Sequence, residues 1–379
     1  MTLSKVKLGE YIERVERRNS DLVYDIEDVR GISNNKEIQP TKANVSDRSF
    51  DKFQILEPKE FVFNRRTTRM GDRLGLGYND SDRSYIFTED YVTFRVKDEK
   101  ILNPDYLYIF FRRPEFDRYV RYDSWGSATE FFNWEEMCDV PINLPPIEIQ
   151  QKYVDVYNAM VLNLKSYEQG LEDLGLVIAL SLEKFKHSST RIPVGDIVDI
   201  IDIRNNNRKI ENVQGINIEK TFMPSVANLS NTDLSKYKVI SKDQFAYSAM
   251  QTGRDRCIRI ALFQEDAPVI ISPAYSVLYI KNKDVLPEYF MLWFSRKESD
   301  RYGWFVSDGS VRASLELPRF YEIEIPVPSL EEQKSVINLF KYRYSVQSNI
   351  DQIKKTTKDL CPILIKGSIE EAQKSEAVL

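Results

Sequence analysis

The chain has 379 residues, of which 42% are hydrophobic, 29% charged and 12% aromatic, a length and balance that fit two ordinary folded domains and not a disordered chain. No stretch approaches the roughly 20 apolar residues that span a bilayer, and Met1-Thr2-Leu3-Ser4-Lys5 lacks the apolar run of a signal peptide, so a cytoplasmic protein is expected. One histidine and three scattered cysteines weigh against His-based catalysis, a disulfide framework and a zinc site, and the net charge of -5 leaves room only for a local basic surface.

In chain order, residues up to about 145 are broken by Gly, Pro, Asn and Asp. The runs Phe61-Val62-Phe63 and Tyr91-Val92-Thr93-Phe94-Arg95-Val96, rich in β-branched and aromatic residues, read as short strands. Gly71, Gly75 and Gly77 follow the first run and read as a flexible loop, since their spacing fits neither a dinucleotide fingerprint nor a phosphate loop. A helix is expected after Pro104, where proline at a helix start costs little.

After Pro146 the character changes. Ile149, Tyr153, Val156, Met160, Leu164, Tyr167, Leu171, Leu174, Ile178, Leu182 and Phe185 recur every three or four residues, which predicts one long helix with an apolar stripe. His187, in a polar stretch just beyond, reads as a surface linker residue. Tyr275-Ser276-Val277-Leu278-Tyr279-Ile280 predicts another strand and Pro287 another helix start. Beyond Pro328, Ile337, Phe340, Tyr344, Ile350, Ile353, Leu360 and Leu364 outline a second long helix, which Pro362 is expected to end or kink. Helices of this length, about 55 to 60 Å, cannot be buried by one small domain; the stripes either pack on each other as a coiled coil, bind a partner, or do both.

These elements repeat. Pro104-Asp105-Tyr106-Leu107 returns as Pro287-Glu288-Tyr289-Phe290, Asp117-Arg118-Tyr119 as Asp300-Arg301-Tyr302, and Gly126-Ser127 as Gly309-Ser310, at a constant offset of 183 residues. A period this long makes each copy a domain of its own and not a solenoid unit. Both copies read as mixed α/β.

The sequence carries no recognisable catalytic motif. Asn143-Leu144-Pro145-Pro146 differs from the amino-methyltransferase motif by an inserted Leu, and Glu57-Pro58-Lys59 lacks the upstream Pro-Asp of a nuclease. There is no His-Glu-x-x-His and no Gly-x-Ser-x-Gly. No catalytic residue, metal site or cofactor site is therefore expected in this chain.

Binding chemistry is more evident. Arg65, Arg66, Thr68, Arg69 and Arg73 form a dense basic segment directly after a strand, and Gln251, Thr252, Arg254 and Arg256 occupy the equivalent place in the second copy. Arg forks onto guanine edges or holds phosphate, and Thr and Gln complete such contacts, so these are candidate DNA-binding residues. Ser127 and Thr129, matched by Ser310 and Arg312, lie in Gly-led turns that allow close approach to phosphate and form a second candidate pair. Solvated loops and structural turns are the competing readings.

Leu144-Pro145-Pro146-Ile147-Glu148-Ile149-Gln150-Gln151 and Val327-Pro328-Ser329-Leu330-Glu331-Glu332-Gln333-Lys334 resemble the Pro-x-Leu-Glu-Glu-Gln signature that opens each conserved helix in specificity subunits of type I restriction-modification systems. The first copy departs from it at Ile149. Val6-Lys7-Leu8-Gly9-Glu10 and Ile192-Pro193-Val194-Gly195-Asp196 resemble that family's domain starts. The resemblance implies target recognition domains at 1–145 and 191–327, a first long spacer helix at 146–190, and a second with a C-terminal tail at 328–379. These would form a pseudo-two-fold repeat with antiparallel coiled-coil helices between the domains.

It further implies a non-catalytic subunit whose two domains each read one half of a bipartite target on double-stranded DNA. Two methyltransferase subunits would bring S-adenosylmethionine and methylate adenines, and restriction subunits using ATP and magnesium can join. A coiled-coil scaffold that only joins protein partners is the alternative.

Overall fold

The computed structural model describes residues 5–66, 73–124, 130–226, 229, 232–250, 255–308 and 313–378. The chain divides into two compact units, residues 1–168 with 349–379, and residues 169–348.

In the first unit Ile12–Val15, Tyr91–Val96, Phe61–Asn64 and Leu76–Tyr78, in that order, form an antiparallel four-stranded sheet. Aromatic residues fill it: Phe61 lies opposite Phe94 with ring centroids 5.0 Å apart, and Phe111 of the helix Pro104–Phe111 meets Phe61 edge-on at 5.7 Å. That helix starts at Pro104 as expected, with the Asn103 side chain accepting from the amides of Asp105 and Tyr106. A second short helix, Pro114–Tyr122, follows at once.

The second unit repeats this order in Val198–Ile201, Ser276–Ile280, Gln244–Ser248 and Arg259–Leu262. Its helices Pro287–Phe294 and Lys297–Phe305 take the same places, with Phe290 against Phe245 at 5.2 Å. All three strands expected from the sequence are present. The copies differ beside this frame. The second unit adds a four-stranded sheet of Phe222–Pro224, Val213–Ile216, Val269–Ile271 and Lys238–Ile240, whereas the first has two separate pairs, Arg30–Ile32 with Ile38–Pro40 and Gln54–Leu56 with Tyr85–Phe87.

Two long helices span Ile147–Ser188, 42 residues, and Leu330–Val378, 49 residues. In the first unit Lys152 pairs with Glu371 at 2.8 Å and Glu168 with Lys354 at 2.7 Å, so the two segments run antiparallel. In the second unit Gly175 lies against Arg343 and Lys184 is 3.8 Å from Glu332, again antiparallel. Each segment also packs into its own domain: Val154, Tyr157, Cys361, Leu364 and Ile365 join the first core, and Ile178, Leu182, Phe185, Val336 and Ile337 the second.

The apolar stripes differ in detail from the sequence reading. Val156 and Tyr344 are exposed, while Val154, Tyr157 and Val346 are buried. Pro362 does not end the second helix, which continues to Val378. An interior proline costs about 3 kcal/mol, and the burial of Cys361, Leu364 and Ile365 on the flanking turn offsets this. His187 belongs to the last turn of the first long helix and not to a linker; it is exposed, with Nε2 3.1 Å from Glu183. Gly77 lies inside a strand, where a Cβ would come within 3.0 Å of Ile38 Cγ1, so close packing accounts for this glycine and loop flexibility does not. No helix among the described residues is long and apolar enough to cross a membrane.

The glutamines of the helix-opening signature are fully buried and act alike. Gln150 Oε1 accepts from the Asn103 amide at 2.9 Å, and its Nε2 donates to the carbonyls of Ile101 and Pro145 at 2.9 and 2.7 Å. Gln333 repeats this with the Leu286 amide at 2.9 Å and the Asp284 and Pro328 carbonyls at 2.7 and 2.8 Å. One side chain thus ties the start of a long helix to the turn before a short one. Where the first copy departs from the signature, at Ile149, the reason is local. Ser329 and Glu332 cap the second helix reciprocally, and Pro146, in the place of Ser329, has neither hydroxyl nor N–H to share.

Candidate nucleic-acid interface

The basic segment of the first unit lies between two strands that pair as a hairpin, Phe61–Asn64 and Leu76–Tyr78. Arg65 is exposed, and Arg66 and Arg73 are half-buried. The Arg66 amide donates to Asn64 Oδ1 at 3.0 Å, and Arg73 Nη1 donates to the Asn34 carbonyl at 3.1 Å. In the second unit the equivalent hairpin joins Gln244–Ser248 to Arg259–Leu262. Arg256 stands near its exit, with its guanidinium 5.7 Å from the ring centroid of Trp304. Thr68, Arg69, Ser127, Thr129, Gln251, Thr252, Arg254, Ser310 and Arg312 lie outside the described residues.

Both hairpins are pinned at entry in the same way. The Arg65 carbonyl accepts from the Phe132 amide, and the Ala249 carbonyl from the Leu315 amide, each at 2.9 Å. Phe132 and Leu315 follow the two Gly-led candidate turns, so in each unit the fold brings the base of the basic hairpin beside the base of the second candidate segment. The neck of the later turn in the second unit is closed by the Asp308 amide donating to the Ser314 carbonyl at 3.0 Å.

The exits are pinned by side chains that the sequence reading did not single out. Asp117 Oδ1 accepts from the Leu74 amide at 3.2 Å and is ion-paired with Lys36. Asp300 Oδ1 accepts from the Ile258 amide at 2.9 Å and lies 2.6 Å from Lys220 Nζ. The lysine side chains are 5% and 6% exposed, which makes these interior ion pairs and not surface ones. Burial holds the Lys36 ammonium below the usual lysine range, against the opposing pull of Asp117. The repeated Asp117-Arg118-Tyr119 and Asp300-Arg301-Tyr302 were the available signal, but the lysines carry no motif.

Aromatic residues are also exposed at the ends of the helices that carry Asp117 and Asp300. Tyr302, Trp304 and Phe305 are 49%, 50% and 80% exposed at the end of Lys297–Phe305, and Tyr122, at the same place in the first copy, is 89% exposed. Such rings suit contact with sugars or bases.

A duplicated sheet-and-helix frame that presents one pinned basic hairpin per copy defines a two-domain recognition protein of mixed α/β fold, with long antiparallel helix segments in each unit. The chain belongs to the type I restriction modification DNA specificity domain family, which matches residues 30–164 and 192–358. It is 21% identical over 133 residues to the putative type I restriction enzyme MjaX specificity subunit of Methanocaldococcus jannaschii, a match covering 35% of this chain and 31% of that protein. Among solved structures it resembles the type I restriction-modification S subunit from M. genitalium, with 14% identity and a TM-score of 0.52 over 97% of this chain and 95% of that one. A chain from a structure concerned with complex assembly and conformational transition of the type I R-M system matches with 14% identity and a TM-score of 0.50 over 97% of both chains. At these identities the likeness is one of fold.

Proposed function

We propose that this chain is the DNA-specificity subunit of a type I restriction-modification complex. Each recognition domain reads one half of a bipartite target, and the chain itself breaks no bonds. The observation that carries this reading is the duplicated basic hairpin, held in the same way at entry and exit in two units of one family. Arg65, Arg66, Arg69 and Arg73 in one copy and Arg254 and Arg256 in the other supply forked donors for guanine edges or phosphates. The two hairpins differ in sequence, so the half-targets differ as well.

Partner subunits supply the chemistry. Two adenine methyltransferase subunits would bring S-adenosylmethionine, and restriction subunits would bring ATP and magnesium. Co-expression of the chain with its genomic neighbours, followed by mapping of methylated adenines, tests the reading. A split target with two unlike halves is expected; an unsplit target, or no methylation, overturns it.

A further inference from the structure

In both units a lysine occupies the left-handed position of a hairpin turn, Lys36 at φ 63° and Lys220 at φ 61°. The turns match: Ser33 and Asn217 donate to the Glu37 and Thr221 carbonyls at 2.8 and 3.1 Å, and the lysine amides donate back to Ser33 and Asn217. Glycine is the default at such a position, and an L side chain there is strained. Burying an ammonium costs more. The turn alone explains neither cost, yet both copies carry this residue. What the lysine reaches accounts for it: in each copy its Nζ meets the aspartate that also holds the hairpin exit.

Resting on the DNA-reading function proposed above, we infer that Lys36–Asp117 and Lys220–Asp300 are positioning pairs, each fixing the exit of its own basic hairpin and so the aim of its arginines. The aspartates sit on the short helices Pro114–Tyr122 and Lys297–Phe305, which also pack into the sheet cores through Phe116 and Val120 in one copy and through Gly303 against Ile258 in the other. The hairpin exit is therefore referenced to the domain core, not to solvent. A second bond from each lysine closes the clasp, Lys36 to the Leu74 carbonyl at 3.2 Å and Lys220 to the Phe294 carbonyl.

The test uses the full chain, alone and in the assembled methyltransferase complex. Asp117→Asn and Lys36→Met are expected to speed hydrogen exchange at the Leu74 amide about tenfold or more, a fold-change of the size of one lost charge-assisted bond, while the strands Tyr91–Val96 and Phe61–Asn64 stay protected. On a DNA library with each half-target randomised in turn, base preference is expected to flatten about tenfold in one half and to hold in the other. Lys220→Met and Asp300→Asn are expected to exchange the two halves.

Where a single variant does not fold, Lys36→Met with Asp117→Leu replaces the pair by apolar groups that restore burial but not the bond to Leu74. Its preference should stay flattened although its melting temperature recovers, which a merely stabilising pair would not show. Unchanged exchange, unchanged preference in a folded variant, or equal loss in both halves overturns the positioning role. A wild-type complex with no bipartite preference overturns the DNA reading itself, and the positioning role with it.

Discussion

Arg73 and Arg65 show how differently two arginines of one segment are held. Arg73 is tied through its side chain to the Asn34 carbonyl, whereas Arg65 is exposed and its carbonyl accepts from the Phe132 amide. If the segment neutralises phosphates, replacing Arg65, Arg66, Arg69 and Arg73 by Ala lowers the slope of log affinity against log salt by up to about 3.6, at roughly 0.9 per phosphate contact. Anisotropy titrations of the assembled complex at several salt concentrations check this; an unchanged slope removes the loop from the interface. Asp105 offers a pH test. Burial pushes its carboxyl above the usual carboxylate range, against the hydrogen bond from Tyr78. A group raised in the folded state favours folding below its unfolded value of 3.8, and that contribution is lost as pH rises through the folded value. Asp105→Asn should therefore raise the melting temperature at neutral pH, with the gain vanishing in acid as Asp105 becomes neutral in both states. A gain that persisted in acid would refute the burial explanation.

Elements carry the stability that residues tune. Gln150→Leu strands one buried carbonyl and leaves a part-buried amide and a part-buried carbonyl without their partner, so a cost of about 1–3 kcal/mol in urea unfolding is expected, with Gln333→Leu similar because its three bonds are equivalent. A cost below about 0.5 kcal/mol, the size of an ordinary surface change, would show that water replaces the glutamine. The same glutamines show what was legible in the sequence. As letters in a signature they marked two helix starts, but their partners are backbone atoms that only the tertiary fold brings near. The three strands named from the sequence and the two helices after Pro104 and Pro287 were readable because local chemistry decides them: runs rich in β-branched and aromatic residues, and a proline at a helix start. The apolar stripe was readable only as a helix. Spacings of three and four admit two adjacent lines, one through Val156 and one through Val154 and Tyr157, and contact with the domain core chose the second. Pro362 does not end its helix for a similar reason, since burial on either side outweighs a local penalty. Lys36 and Lys220 gave no signal, because a buried lysine looks like a solvated one until its aspartate is placed.

At the scale of the whole molecule the charge of -5 is the quantity to explain. If the chain reads DNA through local basic hairpins, as proposed, while acidic overall, it should depend on other subunits for phosphate neutralisation. The isolated chain is expected to bind duplex DNA at about 10⁻⁴–10⁻⁶ M, the range of non-specific binding, with the complex at least about a hundredfold tighter. Equal affinities for the two would show that the hairpins suffice alone.

The buried glutamine at each helix start makes every one of its bonds to main-chain atoms. Such a joint recognises the course of a neighbouring chain and is blind to its side chains. Mutation or recombination can therefore rewrite the surface of a recognition domain while the joint stays intact, provided the turn before the short helix keeps its path. The socket is set by geometry and is the same in both copies, which leaves the surface of each domain free to differ.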